Sequence, residues 1–242
     1  MKNPPRAILF DLDDTIVAAY GRPRAAWKRV ADEFAAALFP LEPEDLAAAI
    51  DAQSQLLWND PVWNREWRGR PFEARRNVVA SAFTELAAAG KFVPGPGLGD
   101  TMADRFTRLR EAELSIFPGA HETLDRLKEL GVRLALVTNG AAGPQRAKVI
   151  RFALEERFDH IQIEGEHGFG KPEERAYTHA MEALGVRPHE TWMVGDNLEW
   201  EIAAPQRLGI YAIWCDCYAA GLPPGCPIRP DRIIRSLPEL LW

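Results

Sequence analysis

Residues 7–15 read Ala7-Ile8-Leu9-Phe10-Asp11-Leu12-Asp13-Asp14-Thr15, four apolar residues running straight into a cluster of carboxylates. An unbroken apolar run of this length is the pattern of a parallel strand covered on both faces. In open α/β sheets, ligands bind off the carboxyl ends of such strands. Asp11 and Asp13 therefore fall where a site would form. Several acids at a buried strand end are costly unless a cation holds them. From this segment alone a second reading stays open, with Asp13 or Asp14 capping a following helix.

One short strand is not stable by itself, so the rest of its sheet must lie further along the chain. From Phe117 onward, strands and helices alternate. A helix over about 119–130 ends at Gly131, and a strand follows over Val132–Val137. Further strands are predicted at Ile161–Ile163, Trp192–Val194, Ile210–Trp214 and Arg232–Ile234. Between them lie helices near 145–152, 173–184 and 199–208. This alternation argues for a doubly wound parallel sheet with helices on both faces.

Between the first strand and this region the periodicity is helical throughout. Stripes run through Trp27, Val30, Phe34 and Leu38, then Leu46, Ile50 and Leu57. Others follow at Phe72, Val79, Phe83 and Leu86, and at Met102, Phe106 and Leu109. Breaks fall at Pro40 to Pro43, Asn59-Asp60-Pro61, Gly69-Arg70-Pro71 and Pro94 to Gly97. About four helices are predicted. An excursion of this length is too long for a loop in an α/β unit. The expected organisation is thus a discontinuous α/β core, residues 1–17 and 116–242, with an all-helical inserted domain over 18–115.

Composition sets bounds on function. The chain has 242 residues, with 47% hydrophobic and 26% charged, which excludes a disordered or fibrous chain. No apolar stretch is long enough for a membrane span, and residues 1–6 do not form a signal h-region. A soluble, unexported, cytoplasmic protein with no membrane contact is expected. The net charge of −6 has the wrong sign for a nucleic-acid binder. Cys215, Cys217 and Cys226 are read as free structural thiols suited to a reducing compartment, because a fourth ligand for a zinc site is lacking.

Three more features lie at or beside predicted strand ends. Val137 runs into Thr138-Asn139-Gly140, where a hydroxyl, an amide and a glycine nest could hold an anion. Gly168-Phe169-Gly170-Lys171-Pro172 presents an ammonium on a constrained loop. Val194-Gly195-Asp196-Asn197 puts Asp196 just past a strand, with Glu201 five residues on. Each has a plainer alternative: an ordinary turn, a solvated lysine and a helix cap. Together with Asp11 and Asp13 they supply what a phosphoryl-transfer site needs.

In these four motifs the chain resembles the haloacid dehalogenase superfamily, in particular its capped phosphatases of the phosphoglycolate phosphatase or nucleotidase type. Asp11-Leu12-Asp13-Asp14-Thr15 is similar to the first motif and Val137-Thr138-Asn139-Gly140 to the second. Lys171 before Pro172 is similar to the third, and Gly195-Asp196 with Glu201 to the fourth. The resemblance implies a Rossmann-like core with a C1-type cap, and a Mg2+-dependent phosphatase acting through an aspartyl-phosphate. It implies Asp11 as nucleophile and Asp13 as acid and base. Asp11, Asp196 and the Asp13 carbonyl would hold the metal, and Thr138, Asn139 and Lys171 the phosphoryl oxygens. Glu201 departs from the aspartate usual there and would either reach the metal through water or pair with Lys171. Asn197 would bind a metal-bound water or cap the next helix.

Dehalogenases of the superfamily lack the second acid, so Asp13 favours an ester substrate. A small phosphorylated metabolite is the expected partner: a sugar phosphate, phosphoglycolate or a nucleoside monophosphate. Phosphomutase-like transfer and a non-catalytic binding protein are the alternatives, and the oligomeric state is left open. In the cap, Trp58, Trp63 and Trp67 with Arg65, Arg68 and Arg70 would either face the substrate or serve as cap core and solvated surface. Cap helices on two connections could open and close over the site.

Overall fold

A computed structural model describes residues 4–21 and 23–241. The chain divides into two units. One comprises residues 1–19 and 115–242, and the other residues 20–114.

The first unit is built on six parallel strands: β1 (Ala7–Phe10), β4 (Arg133–Thr138), β5 (His160–Ile163), β6 (Thr191–Gly195), β7 (Tyr211–Cys215) and β8 (Arg232–Ile234). Their spatial order is β5-β4-β1-β6-β7-β8. Counting these six alone, the order is that of the doubly wound nucleotide-binding folds, with its reversal point between β1 and β6. Phe10 pairs with Leu136 on one side and Val194 on the other, and the Asp11 N–H donates to the Val194 carbonyl at 2.9 Å. All four residues of β1 are fully buried, as the uninterrupted apolar run predicts. One face of the sheet packs on α10 (Glu174–Leu184), where Ala7, Leu9, Val137 and Met193 meet Ala176, Tyr177, Ala180 and Met181.

Two short strands, β2 (Val17–Ala18) and β3 (Ser115–Ile116), pair antiparallel where the chain leaves and re-enters this unit. The predicted boundaries, 17/18 and 115/116, cut through this pair. Both strands fall within the sheet unit, which runs to residue 19 and resumes at residue 115.

The second unit has six helices where about four are predicted: α1 (Pro23–Glu33), α2 (Ala35–Leu38), α3 (Pro43–Trp58), α4 (Pro61–Trp67), α5 (Pro71–Ala88) and α6 (Leu98–Glu113). Four of them begin on a proline, which is preorganised for the first helical position and lacks only an N–H that would be unpaired there. Pro61 and Pro71 thus each open a helix as well as breaking one. Asp60 caps α4 by accepting from the Val62 and Trp63 N–H groups at 2.8 and 2.9 Å. The core of this unit gathers Trp27, Val30, Leu46, Ile50, Val79, Phe83, Met102 and Phe106, with Trp27 stacked on Phe106 at 3.8 Å.

Cys215 and Cys217 are joined in a disulfide, and Cys226 is free. This corrects the reading of free thiols. The chain turns directly after β7, with Asp216 accepting from the Ala220 and Gly221 N–H groups. The turn brings the two Cα atoms to 5.4 Å, inside the span a disulfide bridges. Among the described residues no helix is long and apolar enough to cross a membrane.

Candidate active site

Asp11 is the first residue beyond β1 and Asp196 the first beyond β6, so the two acids flank the reversal point of the sheet. Asp11 is 7% exposed and its Oδ1 accepts from the Lys171 ammonium at 2.6 Å. The same ammonium, fully buried, lies 2.6 Å from Glu201 Oε1. Of the two roles left open for Glu201, the structure shows the pairing with Lys171. The second Glu201 oxygen accepts from the Asn197 N–H at 2.7 Å. Asn197 caps the following turn, its Oδ1 accepting from the Glu199 and Trp200 N–H groups at 3.0 Å.

Two glycines make room for this packing. A Cβ on Gly195 would stand 2.0 Å from Glu201 Cγ, and one on Gly170 would stand 2.7 Å from Asn139 Oδ1.

Charge and burial act together here. Burial pushes the Asp11 carboxyl up, Lys171 opposes it, and Asp13 adds to the rise. Burial likewise raises Glu201 to about 7, against the pull of Lys171. Asp196 is pushed well above the ordinary range by burial and by the neighbouring Glu201, Asp11 and Asp14. Burial pulls Lys171 down, but Asp11 and Glu201 outweigh it and the ammonium is held above its ordinary value.

Asp13 does not cap a helix. Both of its oxygens accept from Lys148 Nζ, at 2.6 and 2.7 Å, and Oδ2 also accepts from Gln145 Nε2 at 3.0 Å. Gln145 reaches the Thr138 hydroxyl at 2.7 Å and the Asn139 carbonyl at 3.0 Å. It therefore ties the end of β4 to the second acid. Asp14 adopts a left-handed backbone with φ of 57°. Its Oδ1 accepts from the Ala19 N–H and the Tyr218 hydroxyl, closing a turn where the alternative reading had a helix.

Gln145 and Lys148 are the residues sequence reasoning missed. Both lie on α8 (Ala142–Arg151). Their i,i+3 spacing on the helix just after Thr138-Asn139-Gly140 was the available signal, since it puts two polar groups on one helix face toward the strand end.

The predicted anion nest differs in its donors. The Asn139 carboxamide clamps the Lys171 main chain, donating to its carbonyl at 2.7 Å and accepting from its N–H at 2.8 Å. The Gly140 N–H donates to Glu164 Oε2 at 2.9 Å. The carboxamide and the glycine N–H are thus spent within the protein, because the loop carrying Lys171 packs directly against this turn. Asn139 positions Lys171, and the Thr138 hydroxyl is the polar group of this motif that faces the acids through Gln145.

In the helical unit Trp58, Trp63 and Trp67 form a continuous ring cluster, with centroid distances of 4.7 and 5.9 Å. Trp63 packs on that unit's core, and the Arg70 guanidinium lies 4.6 Å over Trp67 while pairing with Glu66. Arg65 and Arg68 are also engaged in interactions.

The residues at the reversal point fit a hard divalent cation. Four carboxylates, Asp11, Asp13, Asp196 and Glu201, meet two ammonium groups, Lys148 and Lys171. The donors are all oxygen, the set that suits Mg2+. Burial first, and its acidic neighbours after it, push Asp196 up, and a bound cation would oppose both.

A doubly wound sheet with acids on both sides of its reversal point defines the class. The chain belongs to the haloacid dehalogenase-like hydrolase family, which it matches over residues 5–209. It is 34% identical over 175 residues to a phosphoserine phosphatase of Thermus thermophilus, covering 72% of this chain and 65% of that relative, just under two thirds of its length. It is 30% identical over 211 residues to a ribulose-1,5-bisphosphate 5-phosphatase of Halopiger xanaduensis, covering 87% and 84% of the two chains. Among solved structures, the HAD-hydrolase YfnB of Bacillus subtilis, bound to magnesium, superposes with a TM-score of 0.70 at 25% identity, covering 98% and 97% of the two chains.

Proposed function

We propose that the protein is a Mg2+-dependent phosphatase that hydrolyses a small phosphomonoester through an aspartyl-phosphate. The observation that carries this reading is the pairing at the end of β1. Asp11 is held by the Lys171 ammonium and Asp13 by Lys148 and Gln145, giving two carboxylates separate surroundings and hence separate roles.

Asp11 attacks the phosphorus through a carboxylate oxygen, and the bond to the leaving alkoxide breaks as the acyl phosphate forms. Asp13 gives its proton to that alkoxide. It then takes one from the water that attacks the same phosphorus, so Asp11 is released as carboxylate and inorganic phosphate leaves. Thr138 and Lys171 bind the phosphoryl oxygens, where charge spreads in the transition state. Asp11, Asp196 and the main-chain carbonyl of Asp13 hold Mg2+, whose contribution when bound is to neutralise charge on those oxygens.

The relatives named above are phosphatases of phosphoserine and of ribulose 1,5-bisphosphate, both small phosphomonoesters. They support a substrate of that class for this chain, as does the second acid at Asp13, which a halide leaving group would not need.

Release of phosphate from p-nitrophenyl phosphate with Mg2+ and with a chelator tests the reading, followed by a panel of sugar, hydroxy-acid and amino-acid phosphates. Turnover is expected with Mg2+ alone, and Asp11→Asn should lower it at least ~10³-fold. Turnover in Asp11→Asn equal to wild type would exclude the mechanism. Phosphate appearing on a second sugar in place of water would favour a mutase.

A further inference from the structure

Outside the acid site, three imidazoles converge on one side of the sheet unit. His160 opens β5, His167 closes the short helix α9 (Glu164–His167), and His179 projects from α10. We propose that His160, His167 and His179 form a second cation site, for a borderline transition ion such as Zn2+ or Ni2+.

One ring nitrogen from each lies within 4.8 Å of the other two. The rings sit 5.3 to 6.1 Å apart between centroids, each turned well out of the others' planes, as rings sharing one centre do.

The hydrogen bonds assign the lone pairs. His167 Nδ1 lies 3.1 Å from the Ile163 carbonyl, and His179 Nδ1 lies 2.8 Å from Gln162 Oε1. The orientation of Gln162 is fixed from its other end, where Nε2 donates to the Ala176 carbonyl at 2.9 Å. Both acceptors lack a proton, so each Nδ1 donates, and in the neutral ring each Nε2 then carries the lone pair. A ring nitrogen that donates to a carbonyl while its other nitrogen is left to a metal is the usual outer arrangement of ligating histidines. His160 Nε2 is buried with no hydrogen-bond partner.

Nitrogens around a tetrahedral zinc stand about 3.3 Å apart, so the three side chains must close by on the order of 1 Å. Each side chain is partly exposed, and rotation about its own side-chain torsions supplies a shift of that size. Imidazole donors select Zn2+, Ni2+ or Cu2+ over Mg2+, so the site differs in kind from the all-oxygen acid cluster. Nearby Glu166 pairs with Arg146 at 2.5 Å, and the described residues add no fourth ligand, which leaves the remaining position to water.

The site sits beside the loop that carries Lys171. His167 and His179 lie on either side of that loop in sequence, and the Phe169 ring packs edge-on against both at 5.9 and 5.4 Å. An ion held there clips α9 to α10 across the loop.

Calorimetric titration of the full chain with Zn2+ in excess Mg2+, with Co2+ absorption as a parallel reading of nitrogen ligation, tests the proposal. One Zn2+ per chain is expected, with an affinity that survives Asp196→Asn and falls at least tenfold in His167→Ala and in His179→Ala. No binding, binding unchanged in the histidine variants, or binding abolished by Asp196→Asn would overturn it. Should a histidine variant fold poorly, Ni2+ broadening of imidazole resonances in the wild type decides the matter. His160, His167 and His179 should broaden while His121 and His189 stay sharp, and the reverse would overturn the proposal.

Discussion

Lys171 holds together the buried charge. Its ammonium lies between Asp11 and Glu201 with almost no solvent contact, so removing it strands two carboxylates in a dry site. Lys171→Met is expected to cost about 3–5 kcal/mol of folding stability, read by chemical denaturation, with part recovered on adding Mg2+. Lys148 acts on the second acid. Lys148→Met should lower kcat by about 10- to 100-fold with a smaller change in KM, because Asp13 loses the group that fixes both of its oxygens; steady-state kinetics would separate the two. The positions of Asp11, Asp13, Lys171 and Asp196 were legible in the sequence because the three acids lie just past apolar strands and Lys171 sits between Gly170 and Pro172 on a short loop. Gln145 and Lys148 were not, since they meet Asp13 from a helix more than a hundred residues away, and their polarity alone reads as a solvated face. Asn139 misled for a related reason. Its amide looked available until the loop of Lys171 was folded against it.

At the level of elements, the turn after β6 shows how one local arrangement serves a distant residue. A plain helix over 199–208 is predicted, yet Leu198–Ala203 winds as a π-helix before α11 (Ala204–Arg207). In that winding the Trp200 carbonyl looks five residues ahead to Pro205, which has no N–H to give. The Tyr177 hydroxyl fills the gap, donating to that carbonyl at 2.5 Å. Tyr177→Phe is therefore expected to cost ~1–3 kcal/mol, measured as a lowered denaturation midpoint with no change in the sheet's circular dichroism. Gly195→Ala should be worse, because its Cβ lands on Glu201; activity and thermal stability should fall together. The period of the sequence could not distinguish π from α here, because the donor that makes the π-turn tolerable comes from another helix. In the helical unit, by contrast, the proline breaks were legible, and only the short helices α2 and α4, too brief for a stripe of their own, escaped the count.

For the molecule as a whole, the acids at the reversal point couple stability to pH and to metal. Glu201, Asp11 and Asp196 are raised in the folded state, so between their unfolded values and their folded ones the native protein binds more protons than the unfolded chain. Stability of the metal-free protein then falls as pH rises from about 4.5 toward 7, while Lys171, held above its ordinary value, keeps its charge across this range. Mg2+ should reverse the trend, adding about 2.7 kcal/mol at a hundredfold excess over Kd, with a larger rise in melting temperature at pH 8 than at pH 6. A melting temperature independent of Mg2+ at pH 8 would contradict this. The doubly wound sheet and its inserted helices were legible because alternation and stripe are properties of whole segments, which no single contact can disguise. One further consequence concerns timing. β1 lies in the middle of the sheet, yet its partners, Arg133–Leu136 and Thr191–Val194, come more than a hundred residues later. During synthesis the strand bearing Asp11 must wait, both edges unpaired, while the helical block between completes a core of its own. A nascent chain halted before Thr191 would carry a folded helical unit and an unfinished sheet, and refolding should show a slow step set by this long-range insertion.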